Sequence, residues 1–72
     1  MKTLEEPKPL IEIKVNNEER LLVIRKEYKG QVYYDIRRWF LTKGIDKLAP
    51  TRRGFTISQE VFKELKEAIS RI

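Results

Sequence analysis

Arg20-Leu21-Leu22-Val23-Ile24-Arg25-Lys26-Glu27-Tyr28-Lys29-Gly30-Gln31-Val32-Tyr33-Tyr34-Asp35-Ile36-Arg37-Arg38-Trp39-Phe40-Leu41 is the stretch that decides the fold of this chain. The apolar run Leu21 to Ile24 and the charges after it read as a strand from Arg20 to Glu27. Tyr28-Lys29-Gly30 then makes a tight turn, because glycine takes positive φ without a Cβ clash. From Gln31 to Leu41, Val32, Tyr34 and Ile36 alternate with Tyr33, Asp35 and Arg37, the period of a strand. The first set is expected inward and the second toward solvent or ligand. Two strands and a tight turn make an antiparallel hairpin.

The elements on either side follow the same logic. Ile11, Ile13 and Val15 alternate with Glu12 and Lys14, so Leu10 to Val15 reads as a half-buried strand, and Asn16 to Glu19 as a turn. Thr42 to Thr51 contains Gly44 and Pro50 and reads as a loop, with a short fourth strand over Arg53 to Ile57. Ser58 is a good helix N-cap, and Glu60 suits the positive end of the helix dipole. Val61, Phe62, Leu65, Ala68, Ile69 and Ile72 fall on one helical stripe. The expectation is an α+β domain, ββββα, over residues 10–72 behind a flexible, proline-containing leader over 1–9. One helix covers only one face of such a sheet, so a second subunit is expected on the remaining apolar stripe.

Composition narrows the function. The chain has 72 residues and a formal charge of +5, with neither Cys nor His. A domain this short buries only about 60% of its unfolded surface, and without disulfides or thiolate metals self-association is the natural remedy. The charge is concentrated: residues 1–19 hold three basic and five acidic groups (−2), residues 20–53 ten and three (+7), residues 54–72 three of each. That is a footprint for a polyanion. Five of the seven aromatics lie between Tyr28 and Phe40, inside the basic segment. Aromatic planes among cations suit unpaired bases and their phosphates. Catalysis is not expected, since there is no imidazole or thiol, and Glu5-Glu6 and Glu18-Glu19 sit in the leader and a turn. No cofactor, metal spacing, phosphate loop, membrane span or signal segment is read, which fits an intracellular protein of nucleus, cytoplasm or nucleoid.

The chain carries, in order, Tyr28-Lys29-Gly30, Val32-Tyr33-Tyr34-Asp35-Ile36-Arg37, the pair Trp39-Phe40, and Pro50-Thr51-Arg52-Arg53-Gly54-Phe55-Thr56-Ile57-Ser58, followed by a helix containing Leu65-Lys66-Glu67. By these motifs, from about Leu22 to Ile69, it resembles the positive cofactor 4 family of transcriptional coactivators. The resemblance implies a curved antiparallel sheet that dimerises largely through its helix and binds single-stranded DNA. By position, Tyr28 and Phe40 would stack on bases, and Lys29, Arg37 and Arg53 would contact the backbone. The chain departs from the family pattern at Gln31 (a lysine there), Phe40 (a tryptophan) and Thr51 (a glycine).

The candidate site is therefore Tyr28, Lys29, Arg37, Phe40, Arg52 and Arg53. Tyr34, Phe55 and Phe62 are expected in the core, and Trp39 in the core or at the dimer contact. Asp35, two residues from Arg37, competes with phosphate for its guanidinium; an exposed pair of that kind is worth only ~0–1 kcal/mol. The expected function is binding of single-stranded DNA, or RNA, by a homodimer with little sequence preference. The alternatives are a protein-interaction module of the transcription machinery and a β-ribbon reader of duplex DNA.

Overall fold

The computed structural model describes residues 8–72. Four strands and one helix follow in chain order: β1 (Ile11–Lys14), β2 (Glu19–Tyr28), β3 (Gln31–Thr42), β4 (Lys47–Ser58) and α1 (Gln59–Ser70). The sheet is an antiparallel meander, β1-β2-β3-β4, with β1 and β4 as edges. The expected ββββα fold is the observed one. Residues 1–7 of the expected leader lie outside the described residues, and Leu10 is already tied to β2 through its N–H to the Val23 carbonyl at 2.7 Å.

Local chemistry sets the turns. Between β1 and β2 the Asn16 side-chain oxygen accepts from the N–H groups of Glu18 (2.8 Å) and Glu19 (2.9 Å), an Asx turn that aims β2 back along β1. Between β2 and β3 only Lys29 and Gly30 are unpaired, at φ 52° and 78°, the left-handed geometry of a two-residue type I′ hairpin. Ser58 caps α1 as expected, its Oγ accepting from the Val61 N–H at 3.3 Å.

The loop expected over Thr42 to Thr51 is a correction. Only Lys43 to Asp46 turn, with positive φ at Gly44 and Asp46, and β4 starts at Lys47 instead of Arg53. Pro50 lies inside the strand, opposite Trp39. An edge strand tolerates it, because the missing N–H need not serve a neighbour. The strand also carries a wide irregularity. Arg37 pairs with Gly54 and Trp39 with Pro50, so Arg38 alone stands against Thr51, Arg52 and Arg53.

Register fixes the faces, since paired residues point to the same side. One side carries the row Ile11–Val23–Ile36–Phe55 across all four strands, and beside it Tyr34 paired with Ile57. Phe62 of α1 stacks on Tyr34 with ring centroids 3.9 Å apart, so the helix lies on this side. It seats only part of its stripe: Val61, Leu65, Ile69 and Ile72 stay exposed, as do Ile11, Ile13 and Val15. Strand β1 is thus more open than its alternation suggests. Phe55 is also a correction: it is 55% exposed on the edge strand, where neither α1 nor a further strand reaches it. The opposite side holds Leu22, with no exposure, and Asp35.

Candidate nucleic-acid interface

Two places on the sheet present cations beside exposed backbone or rings. The first is the β2–β3 turn. Tyr28 is 64% exposed, and the Lys29 ammonium sits 5.3 Å from its ring centroid, a cation–π contact on one face of the ring. The turn geometry is what lifts both side chains off the sheet. Lys26 pairs with Tyr33 and, by alternation, points to the same side as Tyr28. It is a site-side cation that stepping back two residues from Tyr28 would have found. Between the turn and the first turn of α1 lies a cleft of about 340 Å³ whose walls include Gln31, Gln59, Glu60 and Lys63. With one acid and one base among them, it has no charge preference for an anion.

The second place is the β4 irregularity, where Arg52 and Arg53 are exposed. Its geometry is held by Thr51. The Thr51 hydroxyl donates to the Arg38 carbonyl at 2.7 Å and accepts from the Arg53 N–H at 3.1 Å. Gly54 follows at the point where β4 crosses Arg37. A Cβ there would lie 2.6 Å from the Arg37 Cβ, so glycine is required for close approach of the strands.

Arg37 does not sit as sequence reasoning placed it. Its Nε and Nη2 donate to the two Asp35 carboxylate oxygens at 3.1 and 3.0 Å, and its Nη1 donates to the Thr51 carbonyl at 2.8 Å. Asp35 is 3% exposed and also accepts from the Thr56 hydroxyl at 3.0 Å. The expectation that Asp35 faces solvent, in an exposed pair that phosphate displaces, is corrected: Thr56 from β4 and Arg37 close over it. Burial pushes the Asp35 carboxyl up, but hydrogen bonds from Arg37 and Thr56 and the charges of Arg37 and Lys26 outweigh it, holding the group below its ordinary 3.8. The same carboxylate, as a hydrogen-bond acceptor, raises Arg37 further.

Phe40 is 40% exposed but stands apart from Tyr28. Tyr28 pairs with Gln31 and Phe40 with Glu19, at opposite ends of the hairpin and on opposite sides of the pleat. Nine positions along β3 separate Gln31 from Phe40, roughly 30 Å at strand spacing. The rings therefore do not form one platform within a subunit. Trp39 is half-buried, opposite Pro50, and its Nε1 is buried without a hydrogen-bond partner among the described residues. Arg38 is paired with Glu19 at 2.6 Å. Among the described residues no group of three or more acidic side chains gathers into a metal site, and no helix is long and apolar enough to cross a membrane.

A family model, Transcriptional Coactivator p15 (PC4), matches residues 15–68, which include both places just described. The chain belongs to the PC4 family. Nucleic-acid binding in the general sense, and transcription, are the field of this family. The fold is shared with a PC4 homolog from Burkholderia pseudomallei, at TM-score 0.75 and 19% identity over 94% of this chain and 90% of that one. A bacteriophage T5 homolog of the eukaryotic coactivator PC4, implicated in recombination-dependent DNA replication, aligns at TM-score 0.64 and 27% identity, covering 85% of this chain and 70% of that one. A comparison with curated proteins found no match.

Proposed function

We propose that this PC4-family chain binds single-stranded DNA, or RNA, as a homodimer and with little sequence preference. One observation carries the reading: Tyr28 stands 64% exposed at a hairpin tip, in the segment that holds all of the chain's excess positive charge. An aromatic ring kept out of the core among cations is suited to stack on an unpaired base, a contact worth about 1–3 kcal/mol. Lys29 beside it, and Arg52 and Arg53 further along the sheet, neutralise phosphates, while Arg37 is held in its pair with Asp35. Phe40 lies at the other end of the hairpin on the opposite side of the pleat, so within one subunit it does not share the Tyr28 surface.

The dimer is supported by the apolar surface on the helix side. Ile11, Ile13, Phe55, Val61, Leu65 and Ile69 are all exposed there, an apolar set that a second subunit would cover. Pairing two copies through α1 and this face would set two binding surfaces at a fixed distance. The family description as a coactivator favours a second reading, in which the basic face meets an acidic protein of the transcription machinery. Titration of labelled oligo-dT, with the mass of the free protein and complex measured in solution, tests ligand and assembly together. The expected result is a complex containing two copies of the 8.7 kDa chain. A protein whose contact with an acidic partner is indifferent to oligo-dT would support the second reading instead.

A further inference from the structure

We infer that Thr51, braced by Arg37, is a positioning residue that sets the Arg52–Arg53 segment for phosphate. The inference rests on the reading that this segment contacts nucleic acid, and it assigns the residues that shape the contact.

Three residues of β4 stand against one of β3, so the ladder cannot hold Thr51, Arg52 and Arg53 in place. A chain segment carrying two like charges and no ladder bonds would sample many conformations. Thr51 removes that freedom with three contacts. Its hydroxyl ties the segment down to the Arg38 carbonyl, ties it across to the Arg53 N–H, and its carbonyl is held by Arg37 Nη1. Arg37 is itself fixed on both oxygens of a buried carboxylate, and Gly54 lets β4 lie directly on it. The chain of support runs Asp35, Arg37, Thr51, Arg53.

This arrangement reassigns Arg37. All three of its nitrogens are engaged within the protein, so its job is to hold the segment. The charge offered to phosphate comes from Arg52 and Arg53, which make no ion pair among the described residues. Thr51 stands where the pattern that this chain resembles has glycine, which offers no hydroxyl.

Four variants decide the matter, each titrated with labelled oligo-dT and followed by thermal unfolding and amide hydrogen exchange. Thr51→Val keeps the shape and removes both hydroxyl bonds; binding should weaken about 3- to 10-fold, the worth of one or two such bonds. The Arg53 amide should exchange faster while Tm stays near that of the parent. Thr51→Ser restores the hydroxyl and should recover both readouts. Asp35→Asn separates the two roles of Arg37 by sign. If Arg37 holds the segment, binding weakens; if Arg37 itself bound phosphate, releasing it from a carboxylate would tighten binding and steepen the salt dependence. Should Asp35→Asn fail to fold, the Thr51 pair decides alone.

Parental affinity in Thr51→Val, or tighter binding in Asp35→Asn, overturns the inference. The double variant Arg52→Ala/Arg53→Ala isolates the underlying reading. A marked loss there alongside an unaffected Thr51→Val overturns only the positioning role. No loss in the double variant, or no binding by the parent, overturns both.

Discussion

Replacing Arg37 by methionine should destabilise the domain at neutral pH by clearly more than the ~0–1 kcal/mol of a solvated pair, because the Asp35 carboxylate is left in place without its main partner. Methionine keeps most of the stem's length, so the loss reports the Asp35 carboxylate left 3% exposed with only the Thr56 hydroxyl as side-chain partner. The pH dependence follows from the direction of the shift. In the parent the folded-state carboxyl lies below its ordinary 3.8, so its contribution is complete above that pH. It is lost as pH falls through the lower folded value. In Arg37→Met the main lowering cause is gone and burial remains, so the carboxyl moves up and the variant gains relative stability on acidification. Denaturant titrations of the two proteins should therefore diverge at neutral pH and converge in acid. Parallel curves separated by less than ~1 kcal/mol would mean a solvated pair of little consequence.

Tyr28→Ala should lower affinity for oligo-dT by about 1–3 kcal/mol, or about 5- to 150-fold, the range for loss of one stacking ring. Fold stability should hardly change, because the ring is 64% exposed and its contact is with the neighbouring Lys29 ammonium. The turn itself is made by Lys29 and Gly30, both of which remain. Fluorescence anisotropy with a parallel thermal melt checks both halves. Unchanged affinity would remove Tyr28 from the site, and an unfolded variant would make it a structural residue.

Much of the fold was legible because its signals are local. The β2–β3 hairpin follows from alternation on either side of Lys29-Gly30, and the start of α1 from Ser58 before an apolar stripe. What was not legible depends on register and on edges. Pro50 reads as a loop residue until β4 is known to be an edge strand. Phe55 reads as core until the row from Ile11 to Phe55 proves wider than one helix can cover. Asp35 lies in the solvent-facing set by alternation. Its burial depends on Thr56, twenty-one positions away, reaching it across a strand pair. The same holds for the site. Tyr28 and Lys29 at the turn were readable, and Arg52-Arg53 before a glycine were suspicious by composition. Phe40's distance from Tyr28, and the commitment of Arg37 to Asp35 and Thr51, appear only once the pairing is laid out.

The direct test of the central claim compares one oligonucleotide as a single strand and as its matched duplex, each titrated across a salt series. With about 4–6 phosphates neutralised by a dimer, log K against log salt for the single strand should fall with a slope of about −3 to −4. At each salt concentration the single strand should bind tighter than the duplex. Equal or tighter binding of the duplex, or a slope near zero, would contradict the account.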